Sequence, residues 1–180
     1  NFLGDYMVLF QNNGILHRPN EANTTSPWHR DIVFQHFTSS RPLAITFLFC
    51  ISEYNIHNGA TMIIPGSHKH EKLPSEKYLD ENKKSLIAPE GSMIVFDSML
   101  FHRGGMNLSS NTRYSLNNCY TLPVIRPTID YPNILGASYT DDAKLRQLLG
   151  YNNVLDPDPK TNRIRKIENL RVYQGWKLKN

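Results

Sequence analysis

The sequence predicts a mainly-β domain, a sandwich or barrel, and three observations predict it. Short apolar or alternating runs dominate the first two thirds of the chain, as half-buried strands require. Clusters of Gly, Pro, Asn and Ser separate those runs and read as turns. No regular alternation of strand and helix patterns is present, which argues against a doubly wound parallel sheet.

In order along the chain, strands are expected near Tyr6–Gln11, Ile32–Thr38, Leu43–Ser52, Thr61–Ile64, Ser92–Phe96 and Arg113–Leu122. The turn formers between them are NNG at 12–14, SSRP at 39–42, HNG at 57–59, PGS at 65–67, PEG at 89–91 and NLSSN at 107–111. Residues 70–84 are highly charged and read as an exposed loop with a short helix. The strongest helix pattern is TDDAKLRQLL at 140–149. Thr140 is placed to cap it, Asp141 and Asp142 favour its first turn, and Gly150 ends it. The DPDPKTN segment that follows is a loop.

The chain has 180 residues, enough for one domain with a sizeable core, and its 39% hydrophobic and 20% charged residues are ordinary for a globular protein. The formal net charge is +4, and the excess gathers in residues 160–180, where Lys and Arg face a single Glu. Such a run reads first as a solvated tail; a nucleic-acid or membrane contact is the alternative. Cys50 and Cys119 each sit in a hydrophobic stretch, so they are expected as buried free thiols in a reducing compartment, with a single disulfide left open. The longest apolar run, around 44–51, is too short to span a membrane. The sequons at Asn23 and Asn107 are short patterns that arise often by chance.

The stretch SPWHRDIVF at 26–34 sets the chemical question. HRD also opens the catalytic loop of protein kinases, but that loop needs Asn five residues after the Asp, and position 36 is His. No Gly-rich phosphate loop and no DFG accompany it. His29 and Asp31 are two residues apart, so on an extended strand they share one face. A facial metal triad needs one more imidazole. His17, His57, His68 and His70 lie in loops or at element edges and read as surface residues, and His36 belongs to the strand after the triplet. His102 differs: it closes EGSMIVFDSMLFHRGG, with two glycines that permit tight backbone geometry. Eleven residues later Arg113 and Ser115 share a strand face, a guanidinium and a hydroxyl suited to a carboxylate.

Together, Trp28-His29-Arg30-Asp31, Asn58-Gly59 through Ile64-Pro65-Gly66-Ser67-His68, Phe96 through His102, and Arg113-Tyr114-Ser115 resemble the phytanoyl-CoA dioxygenase-like group of Fe(II)- and 2-oxoglutarate-dependent oxygenases. The match covers about residues 5–122. The resemblance implies a double-stranded β-helix, a jelly-roll, cupin-like barrel, with a short C-terminal helix and a basic tail. It implies iron held by His29, Asp31 and His102, with 2-oxoglutarate as cosubstrate and O2 as oxidant. Arg113 would pair with the distal carboxylate of 2-oxoglutarate, Ser115 would add a hydrogen bond, and Gln11 and Thr46 would line the cosubstrate or substrate pocket. Thr61 would support the metal region, and Trp28, Phe34, Phe96 and Phe101 would supply a dry wall or plain core. Related halogenases have a small residue where Asp31 stands, so its carboxylate favours hydroxylation of an aliphatic C–H.

The same reading expects a small-molecule substrate, no nucleic acid, no membrane, a cytoplasmic setting, and a C-terminal helix that either buttresses the sheet or forms a homo-oligomer. The rival readings are a cupin-like zinc or manganese isomerase or hydrolase, and a non-catalytic binding domain with a basic tail. Only 28 residues precede His29, where related enzymes carry further helices and strands. The chain is therefore expected to be one N-terminally truncated oxygenase domain over 1–180, with its core barrel at about 5–122 and an extension at 123–180.

Overall fold

The computed structural model describes residues 2–21, 27–32 and 38–167. Two sheets form its frame. The larger has four strands in the order β1–β7–β2–β5: β1 Val8–His17, β7 Arg113–Thr121, β2 Ala44–Cys50 and β5 Met93–Asp97, all pairs antiparallel. The smaller has the order β4–β3–β6: β4 Lys84–Ser85, β3 Met62–Ile63 and β6 His102–Arg103. Neighbours in the larger sheet are far apart in sequence, the nesting expected of a jelly-roll-type arrangement rather than a meander.

Alternation sets what the larger sheet turns inward. On β7, Arg113, Ser115, Cys119 and Thr121 are buried while Tyr114 and Leu116 are exposed. Opposite them in register lie His17, Ile15 and Gln11 of β1, and Cys50, Thr46 and Ala44 of β2. Leu48 of β2, opposite Ile94 of β5, joins Cys50, Tyr54, Phe96 and Leu100 in one apolar cluster. Phe10, Ile32, Ala44, Met99 and Cys119 form a second. A bulge between Leu9 and Gln11 inserts one extra residue into β1, bending the strand where it crosses this second cluster.

Several expectations change. NNG at 12–14 is not a turn: Asn12, Asn13 and Gly14 pair with Asn118, Asn117 and Leu116, and β1 continues to His17. The ladder to β7 outweighs the local turn preference, and the Asn12 amide donates to the Asn118 side chain across the strands. The C-terminal helix is shorter than its pattern. Helix α3 spans Ala143–Leu148, capped by Asp142, whose carboxylate accepts from Leu145 N at 2.8 Å. Thr140 instead accepts from Asp142 N, two residues too early to cap α3. Gly150 does stop it, with φ +82°. In the charged segment, helix α1 Glu76–Asn82 forms with Ser75 as its cap, and α2 Tyr131–Leu135 is an additional short helix. Residues 159–167 are also helical, where the sequence reads as loop up to 162. The expected strand Ile32–Thr38, with Phe34 and His36, lies almost wholly outside the described residues, as do the Asn23 sequon and residues 168–180 of the basic tail.

Cys50 and Cys119 are both free and buried. Cys50 stands opposite Ser115 and Cys119 opposite Thr46, so the two are four residues apart along adjacent strands, about 13 Å, beyond disulfide reach. Asn107 of the second sequon is fully buried, its amide donating to His17 O and Asn111 O, which withdraws it from any surface modification.

Candidate metal centre

The segment carrying His29 is pinned to the smaller sheet. His29 and His102 exchange backbone hydrogen bonds, N to O at 2.9 and 3.0 Å, and Asp31 N donates to Ser98 O. These bonds place the two imidazoles side by side, ring centroids 4.3 Å apart. Asp31 joins them on the same face, as the two-residue spacing expects. Its Oδ1 lies 3.4 Å from His102 Nε2, and one ligand atom from each of the three residues falls within 4.8 Å of the others.

Both imidazoles are set to present Nε2. His29 Nδ1 lies 2.8 Å from Pro27 O and His102 Nδ1 lies 2.9 Å from Leu100 O. A carbonyl can only accept, so each Nδ1 carries a proton and Nε2 is the nitrogen left to face a metal. Adjacent ligands on an octahedral ion stand about 3 Å apart, √2 times a bond of about 2.1 Å. The His102–Asp31 separation is close to that, and two imidazoles with one carboxylate are the donor set of a non-haem iron(II) facial triad. The residues fit the ion.

The electrostatics agree. Burial opposes charge on Asp31, but hydrogen bonding and attraction to His102, with Thr46 and His29 adding, hold its carboxyl below the usual range. Burial, then the charge of His102, lowers His29 and favours its neutral form. Burial opposes charge on His102 too, but hydrogen bonding and attraction to Asp31 raise it, so a metal ion would displace the proton that His102 Nε2 shares with Asp31.

Arg30, between the two ligands, turns the other way. Its guanidinium donates to Ser67 O at 3.1 Å, Glu71 O at 3.3 Å and His70 O, with Cζ 4.1 Å from the Phe101 ring centroid. Ser67 Oγ in turn accepts from Phe101 N. The PGSH segment is thus an anchored turn behind the metal strand, and Gly66 enters it at φ +77°, where a side chain would be strained. The HRD triplet is explained: two ligands face the cavity and the residue between them ties down the turn.

One cavity of about 650 Å³ joins this centre to the far end of the larger sheet. Gln11, His29, Asp31, Thr46, Thr61, Phe96, His102 and Arg113 all line it. Thr46 is fully buried, and its hydroxyl donates to Asp31 Oδ2. With that proton committed, Ser98 Oγ donates to Thr46 at 2.7 Å, and the Cys119 thiol to Ser98 at 3.4 Å. Burial pushes that thiol up to about 12, so it stays protonated and able to donate. Phe96 meets His102 edge-on at 5.1 Å and walls the centre. Trp28 and Phe101 pack instead with Ile64 and Leu79, away from the cavity.

At the other end Arg113 is buried at 3% exposure. Its Nε donates to Asn58 O at 3.1 Å, and its Nη2 to Gly59 O at 3.1 Å and to His17 Nδ1 at 2.9 Å. Tyr54 stacks on the guanidinium face, 3.9 Å from Cζ to ring centroid, and its hydroxyl also interacts with Arg113 and Ser115. Nη1 and Ser115 Oγ are buried with no hydrogen-bond partner. Buried polar groups without well-formed hydrogen bonds are costly, and Arg113 Nη1 at the end of the cavity points to a ligand that completes it, with Ser115 beside it on the same strand face.

Sequence reasoning missed two residues here. His17 reads as an element-edge surface histidine, yet it is 1% exposed and paired to Arg113. Asn117, whose Oδ1 is buried without a partner, also lines the cavity. Alternation forward along β7 from Arg113 and Ser115 puts Asn117 on the inner face, whereas His17 joins it only once the β1–β7 register is known.

This mainly-β, double-sheet architecture resembles a jelly roll, and its two histidines and one aspartate form the donor set of a facial triad. The model of the family described as phytanoyl-CoA dioxygenase matches residues 4–115, and the chain belongs to that family. Among curated relatives, the uncharacterized protein Rv1501 of Mycobacterium tuberculosis is 32% identical over 126 residues, 69% of this chain and 45% of its own. The dioxygenase andF of Emericella variicolor is 31% identical over 131 residues, 67% and 44% of the two chains. The chain thus spans somewhat under half the length of these relatives. Among solved structures, EctD from S. alaskensis with 2-oxoglutarate and 5-hydroxyectoine superposes with TM-score 0.55 at 25% identity, covering 68% of this chain and 46% of that one. AviO1 from Streptomyces viridochromogenes Tue57 gives TM-score 0.54 at 26% identity, covering 67% and 53%.

Proposed function

We propose that the protein is an Fe(II)- and 2-oxoglutarate-dependent dioxygenase that hydroxylates an aliphatic C–H of a small molecule. The observation that carries this is the pairing, in one cavity, of a metal-competent triad with a buried arginine whose Nη1 has no partner. A zinc or manganese isomerase would use the triad but has no need for the second feature.

In this reading His29 and His102 hold iron(II) through Nε2 and Asp31 through Oδ1. Arg113 and Ser115 receive the distal carboxylate of 2-oxoglutarate, and Gln11 lines the same wall. When bound, the iron with 2-oxoglutarate and dioxygen supplies the oxidising chemistry, yielding succinate, CO2 and a hydroxylated product. The chain's own contribution is placement. The Leu100 and Pro27 carbonyls fix the imidazole tautomers, Thr46 fixes the carboxylate, and Phe96 with Leu48 keeps that side of the cavity apolar. The carboxylate at Asp31 supports hydroxylation over halogenation, because it occupies the place a halide would need.

The two sheets are read as a double-stranded β-helix whose barrel core runs over about 5–122, within one oxygenase domain. No helix among the described residues is long and apolar enough to cross a membrane. The two buried free thiols support a reducing, cytoplasmic setting.

The test is uncoupled turnover. With Fe(II), a reductant and O2, the protein should convert 2-oxoglutarate to succinate slowly without substrate, and Asp31→Ala should abolish it. Succinate formation that persists in Asp31→Ala, or none in the unaltered protein despite bound iron and 2-oxoglutarate, would contradict the reading.

A further inference from the structure

The guanidinium of Arg113 is oriented by three acceptors. Nε donates to Asn58 O, and the two hydrogens of Nη2 go to Gly59 O and His17 Nδ1. Of five N–H groups, three make well-formed hydrogen bonds, and both that remain belong to Nη1, with the Tyr54 hydroxyl interacting with the guanidinium as well. Two of the acceptors are main-chain carbonyls of the 58–59 turn. The third is a side chain, and it is the one that takes the last hydrogen of Nη2.

His17 suits that task. It ends β1 directly opposite Arg113 in the ladder. Its own carbonyl is held by the Asn107 amide at 2.7 Å, and its ring packs against Gly59, where an added Cβ would come within 2.8 Å of Cε1. Arginine has only donors, so Nδ1 must accept and the proton must sit on Nε2. Burial, reinforced by the neighbouring guanidinium, lowers His17 and keeps the ring neutral.

Resting on the oxygenase reading above, we propose that His17 is a positioning residue for the cosubstrate's distal carboxylate. By accepting from Nη2 it removes the two-nitrogen fork of Arg113 and leaves Nη1 alone to meet the carboxylate, with the Ser115 hydroxyl as its companion. Without that acceptor the guanidinium is free to tilt about its bonds to the 58–59 carbonyls, and Nη1 loses its aim. The effect is confined to ligands that carry a distal carboxylate. A keto acid without one uses the metal end of the cavity only.

The experiment is anaerobic calorimetry on the Mn(II)-loaded protein with 2-oxoglutarate and with 2-oxobutyrate, which lacks the distal carboxylate. The unaltered protein should bind 2-oxoglutarate more tightly; if it binds neither, the oxygenase reading fails whatever His17 does. His17→Phe, which keeps a ring but no acceptor, should weaken 2-oxoglutarate about tenfold or more and leave 2-oxobutyrate unchanged. His17→Gln, whose amide oxygen accepts without titrating, should restore the preference. Equal weakening of both keto acids, or an unchanged preference in His17→Phe, overturns the proposal. Should His17→Phe not fold, imidazole nitrogen NMR of the unaltered protein decides: a proton on Nε2 supports the assignment, and a proton on Nδ1 overturns it.

Discussion

Thr46, at the middle of β2, donates its hydroxyl hydrogen to Asp31 Oδ2 and leaves Asp31 Oδ1 facing His102. One carboxylate oxygen is therefore held by the protein and the other is presented to the centre, which favours a single metal–oxygen bond. Thr46→Val keeps the volume and removes the donor, stranding Asp31 Oδ2 and the Ser98 hydroxyl. Metal affinity should fall about 10- to 100-fold, and Thr46→Ser should retain most of it. Titration with Mn(II) or Co(II) measures both; equal affinity in the Val variant would remove Thr46 from this role.

Arg30 reaches the carbonyls of three residues in the 67–71 turn and lies over Phe101. Arg30→Met preserves much of the packing and leaves those carbonyls without their donor. Stability should drop by about 2–3 kcal/mol, since hydrogen bonds to a charged group are among the stronger ones. Urea unfolding followed by tryptophan fluorescence reads this out, with Trp28 packed on the same cluster. A loss of less than about 0.5 kcal/mol, the ordinary surface value, would show that the turn holds itself.

Gly59 has φ +75°, and a Cβ there would lie 2.7 Å from Gly105 O and 2.8 Å from His17 Cε1. Neither backbone conformation nor space admits a side chain. Gly59→Ala should cost about 1–3 kcal/mol and weaken 2-oxoglutarate binding, because the carbonyl that fixes Arg113 and the ring beside it both have to move. Gly14, with open space at its Cβ position, is the control: Gly14→Ala should be nearly neutral in thermal melting.

The cysteines should be silent. Cys119 is fully buried with its thiol pushed up to about 12, and burial raises Cys50 as well. The thiolate is the reactive form, so neither residue should react with a disulfide reagent at pH 8 in the native protein, and both should react in denaturant. Fast native labelling of either would show that the sheet opens there.

How much of this was legible in the sequence depends on the range of the interaction. His29, Asp31 and the Arg113–Ser115 pair could be read because strand alternation is local: residues two apart share a face whatever the rest of the chain does. His102 could be placed only by matching the whole ordered pattern to a family. His17 could not be found, because its partner is 96 residues away and depends on β1 running straight through Asn12-Asn13-Gly14, residues whose local preference is a turn. Thr46 lines the cavity, and its direction toward Asp31 follows from a contact across 15 residues that no periodicity encodes. The shortening of α3 reflects a choice between Thr140 and Asp142 as the cap, two good candidates that only the closing bond to Leu145 N distinguishes.

The claim on which the rest depends is that His29, Asp31 and His102 hold one iron(II) to which 2-oxoglutarate binds. Anaerobic addition of Fe(II) and then 2-oxoglutarate, watched in the visible spectrum, tests it most directly. A weak charge-transfer band should appear only with both present, saturate at one iron per chain, and be absent in His102→Ala that melts cooperatively. Tight binding of iron with no band on adding 2-oxoglutarate, or a band that survives in His102→Ala, would contradict the account.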